Sequence, residues 1–128
     1  SVQFGAGWGT INGMKKNYPF IDDMDAVMER LGGDGAALDR LLGKFLTAYR
    51  DSAATIDELA RSGNLEEARR IAHSAKGAAA NLGLAGIRRA AADIERSLAS
   101  GDAERLARER AALDRELARV ASELTAPA

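Results

Sequence analysis

The sequence predicts an all-α fold, an antiparallel up-down four-helix bundle with a short N-terminal capping helix. Three observations carry that expectation. Apolar residues recur every three or four positions in five successive segments, which is the period of a helix with one buried face. No segment alternates with period two, and no Asn-Gly or Asp-Gly turn joins strand-like runs. The connections are short Gly/Asp/Asn groups, and long helices so joined become antiparallel neighbours.

Residues 1–18 form the first unit and 19–128 the second. Ser1 to Gly13 carries Gly5, Gly7, Gly9 and Gly13 without periodicity, and is read as a flexible linker or a segment of expression-vector origin. Its glycine spacing is not that of a dinucleotide-binding turn. Pro19 stiffens the approach to a short first helix bearing Ile21, Met24, Val27, Met28 and Leu31, which Gly32-Gly33 ends. Asp22, Asp23 and Asp25 lack the spacing of a calcium loop and suit the positive end of a helix dipole. Asp34 is placed to cap one long second helix with Leu38, Leu41, Leu42, Phe45, Tyr49, Ala53, Ile56 and Ala60 inward, closed by Gly63.

The third helix follows Gly63, with Asn64 and Glu67 spaced as a capping box and Leu65, Ala68, Ile71, Ala72, Ala75, Ala78, Ala79 and Leu82 on one stripe. A fourth carries Leu84, Ile87, Ala90, Ala91, Ile94 and Leu98 up to Gly101. Asp102 caps a fifth, with Leu106, Leu113, Leu117, Val120 and Leu124 inward and Pro127 beyond its end.

At 128 residues the chain supports one core, and 46% apolar with 29% charged residues is ordinary for a globular domain. A net charge of −1 gives no general attraction to nucleic acid or anionic lipid. The absence of cysteine removes disulfide and thiol chemistry and suits the cytoplasm. No apolar run approaches the roughly 20 residues of a membrane span, so no membrane contact by this domain is expected.

The single histidine, His73, is the candidate for chemistry. On a helical wheel it lies roughly 150° from the centre of the third helix's apolar stripe, so it faces outward. Lys76 at i+3 and Arg69 at i−4 stand beside it, while Gly77 at i+4 leaves a gap where a partner's backbone can come close. A metal site needs companion ligands, and no cysteine or second histidine supplies them. Nucleophilic or acid/base chemistry by an imidazole remains.

At these residues the chain resembles the histidine-containing phosphotransfer (HPt) domains of bacterial phosphorelays. The family carries His-x-x-Lys-Gly with a small residue ten positions after the histidine, matched here by His73, Lys76, Gly77 and Gly83. Ala72, Ala78, Leu82, Ile87 and the pair Ile94-Glu95 also fit its pattern, and the resemblance runs from about Ile21 to the C-terminus.

The resemblance implies that His73 accepts a phosphoryl group from one receiver-domain aspartate and returns it to another, with Lys76 compensating phosphate charge. It implies that Glu95 reaches the imidazole from the next helix and orients it; pairing of Glu95 with Arg88 or Arg96 is the competing expectation. Arg69, Gly77 and Ala80 are the candidate partner contacts, and Gly83 is assigned to helix geometry or packing. The implied partners are response-regulator receiver domains and a hybrid sensor histidine kinase, in the cytoplasm or at the cytoplasmic end of a membrane-bound kinase. No cofactor is expected on this chain, Mg²⁺ being the receiver's, and no ATP site, so the domain is a phosphocarrier rather than an enzyme. Two other functions fit: the phosphoacceptor domain of a chemotaxis-type histidine kinase, and a helical interaction module that is never phosphorylated.

Overall fold

The computed structural model describes residues 10–11, 14–15 and 18–125. The expectation of a flexible first segment falls mostly outside the described residues. Within it, β1 (Thr10–Ile11) pairs antiparallel with β2 (Met14–Lys15), Thr10 opposite Lys15, a departure from the expectation of no strands; two residues each are too short to show a period of two. The remaining regular structure is helical: α1 (Met24–Arg30), α2 (Gly35–Tyr49), α3 (Ser52–Arg61), α4 (Leu65–Asn81), α5 (Ala85–Ser100) and α6 (Ala103–Thr125).

Helix starts follow the acidic caps that the sequence offers. Asp23, Asp34 and Asp102 each accept a hydrogen bond from the backbone N–H three residues on, at 3.1, 3.0 and 3.0 Å. Asp23 does so from a left-handed backbone, φ 55°, so α1 begins at Met24 and Ile21 is buried ahead of the helix. The capping box expected at α4 does not form. Asn64 turns its amide toward Ser62 Oγ at 3.4 Å, and Glu67 is engaged by Arg70. Leu65, expected on the apolar stripe, stays 44% exposed at the first position of the helix.

The long second helix expected from Asp34 to Gly63 is two helices. The break falls at Arg50-Asp51, where Asp51 sits at φ −101°, ψ 11° and the Thr55 hydroxyl bonds back to the Asp51 carbonyl at 3.1 Å. Asp51 makes no side-chain capping bond and Ser52 Oγ is buried without a hydrogen-bond partner, so the short polar side chains there do not account for the break. Both pieces still bury their stripe: Leu38, Leu42, Phe45 and Leu46 from α2, Ala53 and Ile56 from α3.

The most extensive contact joins α4 to α5, followed by α5 to α6; α4 also packs on α3, and α6 on α3 and α2. One continuous core results, in which each fully buried residue such as Ile56, Ile94 or Leu113 contributes roughly 1.5–3 kcal/mol. The face that α4 buries consists of Ala68, Ala72, Ala75 and Ala79. Methyl groups at these positions let α5 lie close, with Ile87, Ala90, Ala91 and Ile94 against them.

The turn between α4 and α5 needs its glycine. Gly83 has φ +68°, and a Cβ there would stand 2.7 Å from the Asp22 carbonyl oxygen and 2.9 Å from Val27 Cγ2. The same carbonyl neighbourhood anchors the segment before α1, since the Asp22 N–H donates to the Gly83 carbonyl at 2.7 Å. Packing, not chemistry, explains this glycine, as the sequence reading held.

Candidate functional site

His73 stands on the solvent side of α4, opposite the alanine face, with its side chain 69% exposed. Glu95, midway along α5, reaches across the close-packed helix pair. Its Oε2 lies 3.1 Å from His73 Nδ1, and its Oε1 lies 2.6 Å from Lys76 Nζ. One carboxylate therefore holds both candidate groups of α4, and the geometry places the proton of a neutral imidazole on Nδ1, where it is donated to Glu95. Nε2 is then the free, solvent-facing nitrogen.

The Glu95 side chain is only 19% exposed, and Oε1 is buried without a well-directed hydrogen bond, so the Lys76 ammonium is its compensating charge. Burial pushes the Glu95 carboxyl up, but hydrogen bonds and charge from Lys76 and His73 outweigh it and hold the group below the usual carboxylate range. The competing expectation for Glu95 does not materialise: Arg96 pairs with Asp93 one turn back, and Glu95 turns to α4.

The remaining predicted site residues divide into two groups. Gly77 and Ala80 are exposed, and nothing lies within 4 Å of where a Gly77 Cβ would be, so the surface C-terminal to His73 is low and open. Arg69 is exposed but engaged, its Nη1 3.2 Å from Glu66 Oε1. It lines a groove of about 660 Å³ running from His73 toward the start of α4, together with Arg70, Glu66, Glu67 and Asn64. Arg70 in this groove was not singled out by the sequence, because an i,i+3 Glu67–Arg70 pair reads as ordinary helix-surface stabilisation. Among the described residues, no group of three or more His, Asp or Glu is placed to hold a metal ion.

Comparison with protein families gives a match to the Hpt domain over residues 40–123. The chain belongs to the Hpt domain family. No curated protein and no solved structure matches it significantly. The matched region opens within α2 and closes within α6, so it contains His73, Lys76 and Glu95 and the whole of α3, α4 and α5. Membership implies histidine phosphotransfer in a phosphorelay, in which Hpt domains act as phosphocarriers that meet receiver domains and are not enzymes in themselves. No helix among the described residues is long and apolar enough to cross a membrane.

Proposed function

We propose that His73 is the phosphoacceptor of this Hpt domain and that it shuttles a phosphoryl group between aspartates of receiver domains. The observation that carries the reading is the division of the imidazole: Nδ1 is held by a mostly covered carboxylate at 3.1 Å, while the ring itself is in solvent. In the transfer step the Nε2 lone pair attacks the phosphorus of the partner's aspartyl phosphate. The new N–P bond forms as the P–O bond to the aspartate breaks, and the electron pair leaves with the partner's carboxylate.

The imidazole gains positive charge in that step because Nδ1 keeps its proton. Glu95 is a fixed counter-charge for that imidazolium, worth more in a partly covered site than in open water. Lys76 is the cation nearest the arriving group, its side chain 35% exposed, and it has to exchange some of its contact with Glu95 for phosphoryl oxygens. Such a transfer depends on in-line placement and charge compensation rather than on covalent chemistry supplied by the carrier. Mg²⁺ and the acidic pocket belong to the receiver, and nothing in the step draws on a cofactor of this chain.

Gly77 and Ala80 form the landing surface. Ala80, seven residues beyond His73, repeats its direction on the helix about 10.5 Å along the axis. Arg69 and Arg70 border the other side, and are available to a partner that displaces Glu66 or Glu67. The helices supporting this face are read as an up-down four-helix bundle, in which α2 and α3 form one bent member, α4, α5 and α6 the other three, and α1 lies across one end. The contacts of α6 with α2, α3 and α5, and of α4 with α3 and α5, support that arrangement.

Incubation with phosphorylated receiver domains tests the reading. The expected result is an acid-labile, base-stable phosphate on the wild-type chain and none on His73→Gln; phosphate retained by His73→Gln refutes the assignment. Labelling by a separate ATP-binding catalytic domain, with none from any receiver, favours the chemotaxis-type acceptor domain instead. A wild-type chain inert to both is an interaction module.

A further inference from the structure

Away from the phosphotransfer face, α1, α2 and α4 enclose a cavity of about 480 Å³ that the reading above does not use. Its size lies within the roughly 300–1,000 Å³ typical of small-molecule sites. Val27 of α1 and Leu31 just after it, Leu41 and Phe45 of α2 and Leu82 just after α4 make an apolar lining, of which Val27, Phe45 and Leu82 are buried. Two cations complete it, Arg30 and Lys44, both exposed and therefore at the mouth.

No acidic side chain lines the cavity. Elsewhere arginines such as Arg61, Arg69 and Arg96 meet a carboxylate one turn away; Lys44 has none at that spacing, and Asp34, four residues after Arg30, pairs with Arg40 instead. Positions 40, 41, 47 and 48, one turn from Lys44, hold Arg, Leu, Thr and Ala, while Arg30 follows Ala26 and Val27 on α1. Arg30 donates to a neutral acceptor, the Asn81 carbonyl at the end of α4, at 2.6 Å. The remaining donors of its fork and the Lys44 ammonium are left for an anion.

From this juxtaposition of an apolar pocket and two cations that form no ion pair among the described residues, we infer that the cavity binds a small amphipathic anion, a medium-chain carboxylate with one charged head and one apolar tail. The tail lies between Val27, Leu41 and Phe45, where it replaces water against apolar walls. The carboxylate rests between Arg30 and Lys44. Arg30 and Val27 also line a neighbouring notch with Asp22, Asp23, Ala80 and Arg88, so the cavity adjoins the face that presents His73, and Arg30 has two carboxylates on its other side.

Decanoate, kept below its micelle concentration, is the probe, and amide NMR of the complete unphosphorylated chain is the measurement. Saturable shifts centred on Val27, Leu31, Leu41, Phe45 and Leu82 are expected, with no saturable response to decyltrimethylammonium. Lys44→Glu, an exposed change that leaves the fold intact by circular dichroism, is expected to weaken binding about tenfold, the loss of one charge-assisted contact. Shifts that are scattered or non-saturating, equal binding of the cationic probe, or unchanged affinity in Lys44→Glu would overturn the inference. So would silence toward decanoate combined with saturable binding of an acidic amphipathic peptide, which would make the groove a protein-docking site. None of these readouts involves phosphate, so their failure is separate from failure of the His73 assignment.

Discussion

Glu95→Gln isolates the charge of the residue on which the site converges. The amide can still accept from His73 Nδ1 and keeps the volume between α4 and α5, but it no longer compensates an imidazolium or Lys76. A hydrogen bond to an ionised group contributes about 1.5–3 kcal/mol and a neutral one about 1 kcal/mol. His73 is open to water while Glu95 is mostly covered, so the lower end of that range applies. The exchange then removes about 0.5 kcal/mol from the charged state reached during transfer, or roughly a twofold loss of rate. Glu95→Ala removes the acceptor as well, and a loss of about tenfold is expected.

Rapid-quench transfer from a phosphorylated receiver that charges the wild type gives the rate, and ¹⁵N spectra of the imidazole give the position of its proton. Both variants also release Lys76 toward the phosphoryl group, which works against the loss. Repeating the measurement in a Lys76→Ala background separates the two contributions. Unchanged rates in both Glu95 variants, with the Nδ1 proton signal unmoved, would show that the 3.1 Å contact has no part in the chemistry.

Lys76→Ala is expected to slow transfer and to cost about 1–2 kcal/mol of stability at neutral pH, because buried Glu95 Oε1 loses its counter-charge; urea unfolding measures it. The folded Glu95 carboxyl is held below its ordinary range, so its stabilisation is present above the unfolded carboxylate pKa and disappears as pH falls through the folded value. Lys76→Ala removes a principal cause of that depression, and the difference in unfolding free energy between neutral and acid pH is expected to shrink. Gly83→Ala is expected to destabilise by about 2–4 kcal/mol, since it combines a left-handed backbone with a Cβ at 2.7 Å from a carbonyl oxygen, and thermal melting reads this directly. Gly77→Ala meets nothing within 4 Å and should raise stability by about 0.5–1 kcal/mol while slowing receiver transfer; faster transfer would contradict its role as a landing surface.

The helical period was enough to find the buried faces apart from Leu65, and Asp34 and Asp102 located the first turns of two helices, because both signals are local. The outward direction of His73 followed from the same arithmetic. What remained hidden depended on competition between neighbours. The break at Arg50-Asp51 leaves no mark in the pattern, because the stripe of apolar residues runs through it without interruption. Asn64 and Glu67 had the spacing of a capping box, yet Ser62 and Arg70 offered them other partners. Lys76 was legible as a charge beside His73, but its resting contact with Glu95 was not, since that contact spans two helices and depends on how closely they pack.

That closeness connects the core to the chemistry. Glu95 extends from α5 to His73 and Lys76 of α4 with a side chain of fixed length, so its two contacts exist only at a short interhelical distance. The distance is set on the opposite face of α4, where Ala68, Ala72, Ala75 and Ala79 are fully buried and no larger side chain holds α5 away. Interiors pack densely and transmit strain, so a methylene added at Ala75 or Ala91 acts on the reach of Glu95 as well as on the core. The alanine content that first suggested close helices is therefore part of the site: it fixes how far a carboxylate stands from an imidazole that is itself wholly on the surface.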